Sequence, residues 1–156
     1  MKPLLSLLAI ALLLPITPAS AQQPIWTGSW AAAPVAAPAT EKLIGPNGAT
    51  FRDIVHLSLG GRAIRLRISN EFGTTPLTIA GVHVALDAPA GATGSAGATQ
   101  PGTDHGVTFN GAASVIIPAG TLAVSDPILM PVAAFADLAV SLFVPAQPGA
   151  TLTLHS

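Results

Sequence analysis

Thr50-Phe51-Arg52-Asp53-Ile54-Val55-His56-Leu57-Ser58-Leu59-Gly60-Gly61-Arg62-Ala63-Ile64-Arg65-Leu66-Arg67-Ile68-Ser69 decides the fold class of this chain. Val55, Leu57 and Leu59 alternate with His56 and Ser58, and Ile64, Leu66 and Ile68 alternate with Arg65, Arg67 and Ser69. A period of two places each set on opposite faces of an extended strand. Gly60-Gly61 sits between the two runs and is able to adopt the positive φ of a tight turn, so the spacing predicts a local β-hairpin.

The pattern continues outward from that core. Asn70-Glu71-Phe72-Gly73 reads as a turn, or as a binding loop. Residues 77–86 read as a further strand with a bulge at Gly81. Residues 87–106 are rich in Ala, Gly, Pro, Thr and Ser and predict a long mobile loop. Strand patterns resume at 107–110, 114–117, 122–125, 128–131 and 138–144, with turns at Pro118-Ala119-Gly120 and Gln147-Pro148-Gly149. No helical period is sustained after residue 21. The expected fold is all-β, a β-sandwich or jelly-roll-like arrangement of short strands. Residues 150–156 alternate polar and apolar like a strand, so the domain is expected to continue into a longer protein.

Residues 1–21 read as a signal peptide. Lys2 supplies the positive start, residues 4–14 the apolar run, and Ala19-Ser20-Ala21 the small-residue cleavage site. The apolar run is too short for a stable membrane span. Residues 22–156 then form one accessory domain, secreted or periplasmic, large enough to bury a core. That domain carries Lys42, Arg52, Arg62, Arg65 and Arg67 against seven acidic side chains. Such a balance gives no reason to expect nucleic acid or an anionic membrane as partner. The chain has no Cys, which excludes disulfides, thiolate nucleophiles and thiolate metal sites.

Hydrolase chemistry needs a serine on a sharp turn, a histidine base and an orienting acid. The G-x-S-x-G elbow is absent. His56-Leu57-Ser58-Leu59-Gly60 and Thr93-Gly94-Ser95-Ala96-Gly97 approach it, but each lacks the leading glycine. Asp53-Ile54-Val55-His56 has Asp-x-x-His spacing, yet residues three apart on a strand point to opposite faces. His56, His83, His105 and His155 stand too far apart in sequence for an H-x-x-x-H metal pair, although His56 and His83 are able to meet if their strands are neighbours. Asp104-His105 reads as a turn. Arg65 and Arg67 share a face with Arg62 nearby, either as a carboxylate clamp or as a solvated face paired with Glu71 or Asp53. The two Trp, Trp26 and Trp30, lie together near the expected mature start, and burial of at least one in the core is expected. No catalytic residue, cofactor ligand or metal ligand is therefore assigned.

Trp26-Thr27-Gly28-Ser29-Trp30-Ala31-Ala32-Ala33-Pro34 resembles the opening of mature secreted SGNH (GDSL-type) esterases, in the xylan-esterase-like subgroup. Residues 51–61, Arg65-Leu66-Arg67-Ile68-Ser69-Asn70-Glu71-Phe72-Gly73, Pro76-Leu77-Thr78-Ile79, Pro101-Gly102-Thr103-Asp104 and Asp137-Leu138-Ala139-Val140-Ser141-Leu142 continue the resemblance in order. It implies the β-sandwich that precedes the catalytic domain in that subgroup. The family's Gly-Asp-Ser block, oxyanion-hole blocks and C-terminal Asp-x-x-His have no counterpart here. The resemblance thus implies an esterase parent whose C-terminal catalytic domain is the main partner, carbohydrate as a further one, and no activity in these residues alone. The alternative is a stand-alone exported module that binds a glycan or envelope component.

Overall fold

The computed structural model describes residues 25–38, 42–88 and 97–155, so the expected signal peptide lies outside them. Among the described residues there are ten strands and no helix: β1 (Pro34–Ala36), β2 (Ala49–His56), β3 (Arg67–Asn70), β4 (Leu77–Ile79), β5 (Gly81–Leu86), β6 (His105–Gly106), β7 (Val115–Ile117), β8 (Thr121–Val124), β9 (Asp137–Val144) and β10 (Thr153–His155). The protein is all-β. One sheet has four strands in the order β2-β9-β5-β6, and three two-stranded sheets are β3-β8, β4-β7 and β1-β10. Every pairing is antiparallel and no sheet closes into a barrel.

The strands around Gly60-Gly61 form, but the hairpin between them does not. β2 pairs along its whole length with β9, from Ala49 opposite Val144 to His56 opposite Asp137. The chain then stays extended beside residues 128–136: Leu57 N–H donates to Ala136 O at 2.9 Å, Gly61 bridges Val132, and Ile64 bridges Ile128. β3 completes that path against β8. Neither Gly60 nor Gly61 has positive φ. Gly60 serves close approach instead, because a Cβ there would stand 2.7 Å from both Ala134 N and Val132 O. Long-range pairing has displaced the local turn.

Residues 77–86 also differ from expectation. They make two strands in different sheets, with β4 on β7 and β5 between β9 and β6. Gly81 is in regular register opposite Phe143, not in a bulge, and the Ala80 N–H donates to Phe143 O at 2.9 Å. Of the expected loop, residues 89–96 lie outside the described residues. The remainder is knitted to β5: Gln100 N–H donates to Leu86 O at 2.9 Å, Leu86 N–H to Thr103 Oγ1 at 3.1 Å, and β6 adds an edge strand. Small residues supply no apolar bulk, yet their backbones extend the sheet. At 107–110 the expected strand gives way to a two-residue turn at Asn110-Gly111. Asn110 and Gly111 have φ of 51° and 81° between the bridged Phe109 and Ala112, as a type I′ turn requires.

A single hydrophobic cluster joins the sheets. Val55 from β2, Val82 and Val84 from β5, and Leu138, Val140 and Val144 from β9 meet Leu77 and Ile79 from β4, Ile117 from β7 and the connecting residues Ile128, Met130 and Phe109. Each fully buried aliphatic side chain of this kind contributes about 1.5–3 kcal/mol relative to exposure. The other face of the four-stranded sheet carries Arg52, His56, His83 and Ser141, which places polar chemistry on its outer surface.

Candidate functional site

Asp53 and His56 do not meet. Asp53 shares the inward side of β2 with Val55 and pairs with His155 of β10, Oδ1 to Nε2 at 3.4 Å. His56 lies on the outward side, where its Nδ1 is 2.7 Å from Oδ1 of Asp137, its cross-strand partner. A third pair joins His83 Nδ1 to Asp104 Oδ2 at 2.8 Å, so Asp104 ties down a β5 side chain as well as shaping a turn. All six side chains are roughly half exposed, where such a pair contributes about 0–1 kcal/mol. His56 and His83 stand on β2 and β5 with β9 between them, so they are not neighbours. Among the described residues no group of three or more His, Asp or Glu could hold a metal ion.

The serines are engaged elsewhere. Ser58 Oγ donates to Ser29 O at 2.6 Å, and Ser29 Oγ donates to Leu59 O at 2.7 Å. Ser95 lies outside the described residues. Ser141 stands opposite His83 in the β5–β9 register, so Ser141, His83 and Asp104 gather a serine, a histidine and an acid on one face. Sequence reasoning missed this grouping because it depends on cross-strand register. Ser141 Oγ accepts a hydrogen bond from Arg52 Nε at 2.8 Å, and among the described residues none links it to His83. A nucleophile needs its base within reach, so this set has the composition of a triad without its relay.

Asn70 is a structural anchor rather than a ligand contact. Its fully buried side chain donates from Nδ2 to Thr75 O and Ile117 O at 3.0 Å and to Pro118 O at 3.3 Å. The three carbonyl acceptors fix the amide orientation and clamp the turn after β3 to the β7–β8 connection. Oδ1 is left buried without a partner, facing Gly73, whose missing Cβ leaves it room.

Asp126 organises the second turn. Gly111 N–H, then the Thr108 hydroxyl, then Asn110 N–H donate to it, and Arg65 adds a weaker attraction. Together these outweigh desolvation and hold its carboxyl below the ordinary aspartate value. Asn110-Gly111 was the sequence signal for this turn.

The two Trp are surface residues, contrary to the expected burial. Trp26 and Trp30 are 41% and 43% exposed. Ser29 pins the segment between them to the chain beyond β2, through Ser58 N–H to Ser29 O at 2.9 Å, and so holds both indoles outside the core. Trp30 meets the His155 ring edge-on at a centroid distance of 5.7 Å. The Arg65 guanidinium lies over the Trp26 ring, 4.8 Å from its centroid. Arg65 and Arg67 are exposed and alternate with half-buried Ile64, Leu66 and Ile68. Their expected acidic partners are committed elsewhere: Asp53 to His155, and Glu71, through Oε2, to the Ser69 hydroxyl at 2.9 Å. Among the described residues, no arginine has a carboxylate within ion-pair distance.

A cleft of about 670 Å³ opens between residues 42–46 and 146–152, lined in part by Leu43, Ile44, Pro148 and Leu152. The Gln147 amide on its wall is spent in a reciprocal pair with the Thr78 backbone, at 2.7 and 2.8 Å. No protein-family model matches this chain, and no curated protein matches its sequence.

Proposed function

We propose that this chain is the N-terminal accessory β-sandwich, jelly-roll-like in outline, of a secreted or periplasmic SGNH (GDSL-type) serine ester hydrolase. In this reading residues 1–21 direct export. The C-terminal catalytic domain supplies nucleophile, oxyanion hole, acid and base, no cofactor is needed, and these residues shape access to acyl esters on carbohydrate. The ordered resemblance of residues 26–34, 51–61, 65–73 and 137–142 supports it, as does the all-β architecture. The observation that carries it is the state of these serines: Ser29, Ser58 and Ser141 are each held by backbone or arginine, and among the described residues none is hydrogen-bonded to a histidine. Purified residues 22–156 are expected to show no turnover of p-nitrophenyl acetate above buffer. Sustained hydrolysis abolished by Ser141→Ala or His83→Ala would overturn the reading.

A second reading, an exported glycan- or envelope-binding module, draws support from the two half-exposed indoles. A glycan array with the same protein separates the two.

A further inference from the structure

We propose that Trp26, Arg65 and Arg67 form a binding site for a polyuronate, a polysaccharide of pyranose rings that carry carboxylates. The site starts from a charge imbalance. Arg65 and Arg67 are both exposed, at alternate positions of one extended segment, and Val124, the cross-strand partner of Arg67, brings no charge. Neither guanidinium donates a hydrogen bond or pairs with a carboxylate among the described residues. Asp126 attracts Arg65 from beyond ion-pair distance, and its carboxylate accepts hydrogen bonds from Thr108, Asn110 and Gly111 instead of from the guanidinium.

The Arg65 guanidinium carbon sits over the Trp26 ring, 4.8 Å from its centroid, a cation–π contact that holds it in place. Its N–H groups carry no hydrogen bond among the described residues, which leaves them free to take a carboxylate. Arg67 adds a second cation two residues on. Trp26 remains 41% exposed with Arg65 over its ring, and in this proposal its uncovered indole surface takes a pyranose ring next to the bound carboxylate. Cations alone would accept any anion. Cations beside an open indole favour an anion that also has a flat apolar face, which a polyuronate repeats along its length. An acidic peptide has the charge without the ring.

The inference rests on the carbohydrate-directed role proposed above, but its test contains no ester. Its failure leaves the esterase reading standing, and hydrolysis by this chain alone would sink that reading while leaving the uronate site intact. The full chain is titrated with polygalacturonate by calorimetry and affinity electrophoresis. Binding is expected, weaker at raised salt, and quenching tryptophan fluorescence. Arg65→Ala, Arg67→Ala and Trp26→Ala are each expected to weaken it about tenfold, the loss of one charge-assisted contact or one stacked ring. Arg62→Ala is expected to leave it unchanged. Fully methyl-esterified polygalacturonate is expected to bind at least about tenfold less tightly, since esterification removes the charge and keeps the ring. Absence of binding to polygalacturonate, equal affinity for its methyl ester, or equal affinity for polyglutamate would each overturn the proposal. Thermal melts of the three variants guard against misfolding, and Arg67→Ala, which changes an exposed side chain without a hydrogen bond among the described residues, keeps the test decisive if the others melt early.

Discussion

Asn70→Ala tests the anchor between the turn after β3 and the β7–β8 connection. The substitution deletes donations to Thr75 O, Ile117 O and Pro118 O. The amide carries two hydrogens, so the three contacts amount to two hydrogen bonds with one shared, worth about 2 kcal/mol. The space left by the buried side chain adds about 1 kcal/mol, and removing the partnerless Oδ1 returns a similar amount. The expected net loss is about 2 kcal/mol, or a fall in Tm of about 7 °C for a domain of this size. Urea unfolding followed by far-UV circular dichroism reads it, with an unchanged m-value as the sign that only stability has moved. Asn70→Asp turns the donor toward three carbonyl oxygens as an acceptor, and is expected to be at least as damaging at neutral pH. Gly73→Ala places a methyl group against Asn70 Oδ1 and Cγ, so its cost is expected to shrink in the Asn70→Ala background. A loss below about 1 kcal/mol for Asn70→Ala, or strict additivity with Gly73→Ala, would refute the reasoning.

Gly60→Ala drives a methyl group into the backbone of residues 132–134 and is expected to cost more than about 2 kcal/mol in the same urea assay, whereas a turn glycine without positive φ would tolerate it. Phe135 is 70% exposed and has φ of 63°, so Phe135→Gly is expected to stabilise by about 0.5–1 kcal/mol, a gain partly offset by the lost stack on His56; thermal melts read the sign. Asp126 has a folded-state carboxyl below its ordinary value, so its contribution is complete above the unfolded aspartate value and is lost as pH falls through the lower folded one. Asp126→Asn is accordingly expected to remove part of the acid-side slope of Tm against pH, and an unchanged slope would exclude the role.

The inward faces of the strands were legible because a period of two survives any choice of partner: Val55 and Leu57 are buried as their spacing requires. The partners were not legible. β2 pairs with a strand that begins 81 positions on from His56, at Asp137, and nothing within residues 50–69 encodes that distance. Gly60-Gly61 has two physical meanings, turn or close approach, and only the passage of residues 132–134 selects the second. The outer-face chemistry was hidden for the same reason. His56 with Asp137, and Ser141 opposite His83, exist only through register. The exposure of both indoles follows from a serine, Ser29, whose hydroxyl carries no periodic signal. Asn110-Gly111 was different, since that dipeptide announces its turn locally and the strand pattern beside it masked the message.

Ala80 is the single residue between β4 and β5, and its N–H is bonded to Phe143 of the central strand β9. A load pulling on the β4–β7 ribbon reaches the middle of the four-stranded sheet one peptide later. Neither ladder is able to peel without dragging the other, so amide hydrogens of Ile79 and of Val82 should share one opening free energy and exchange in step.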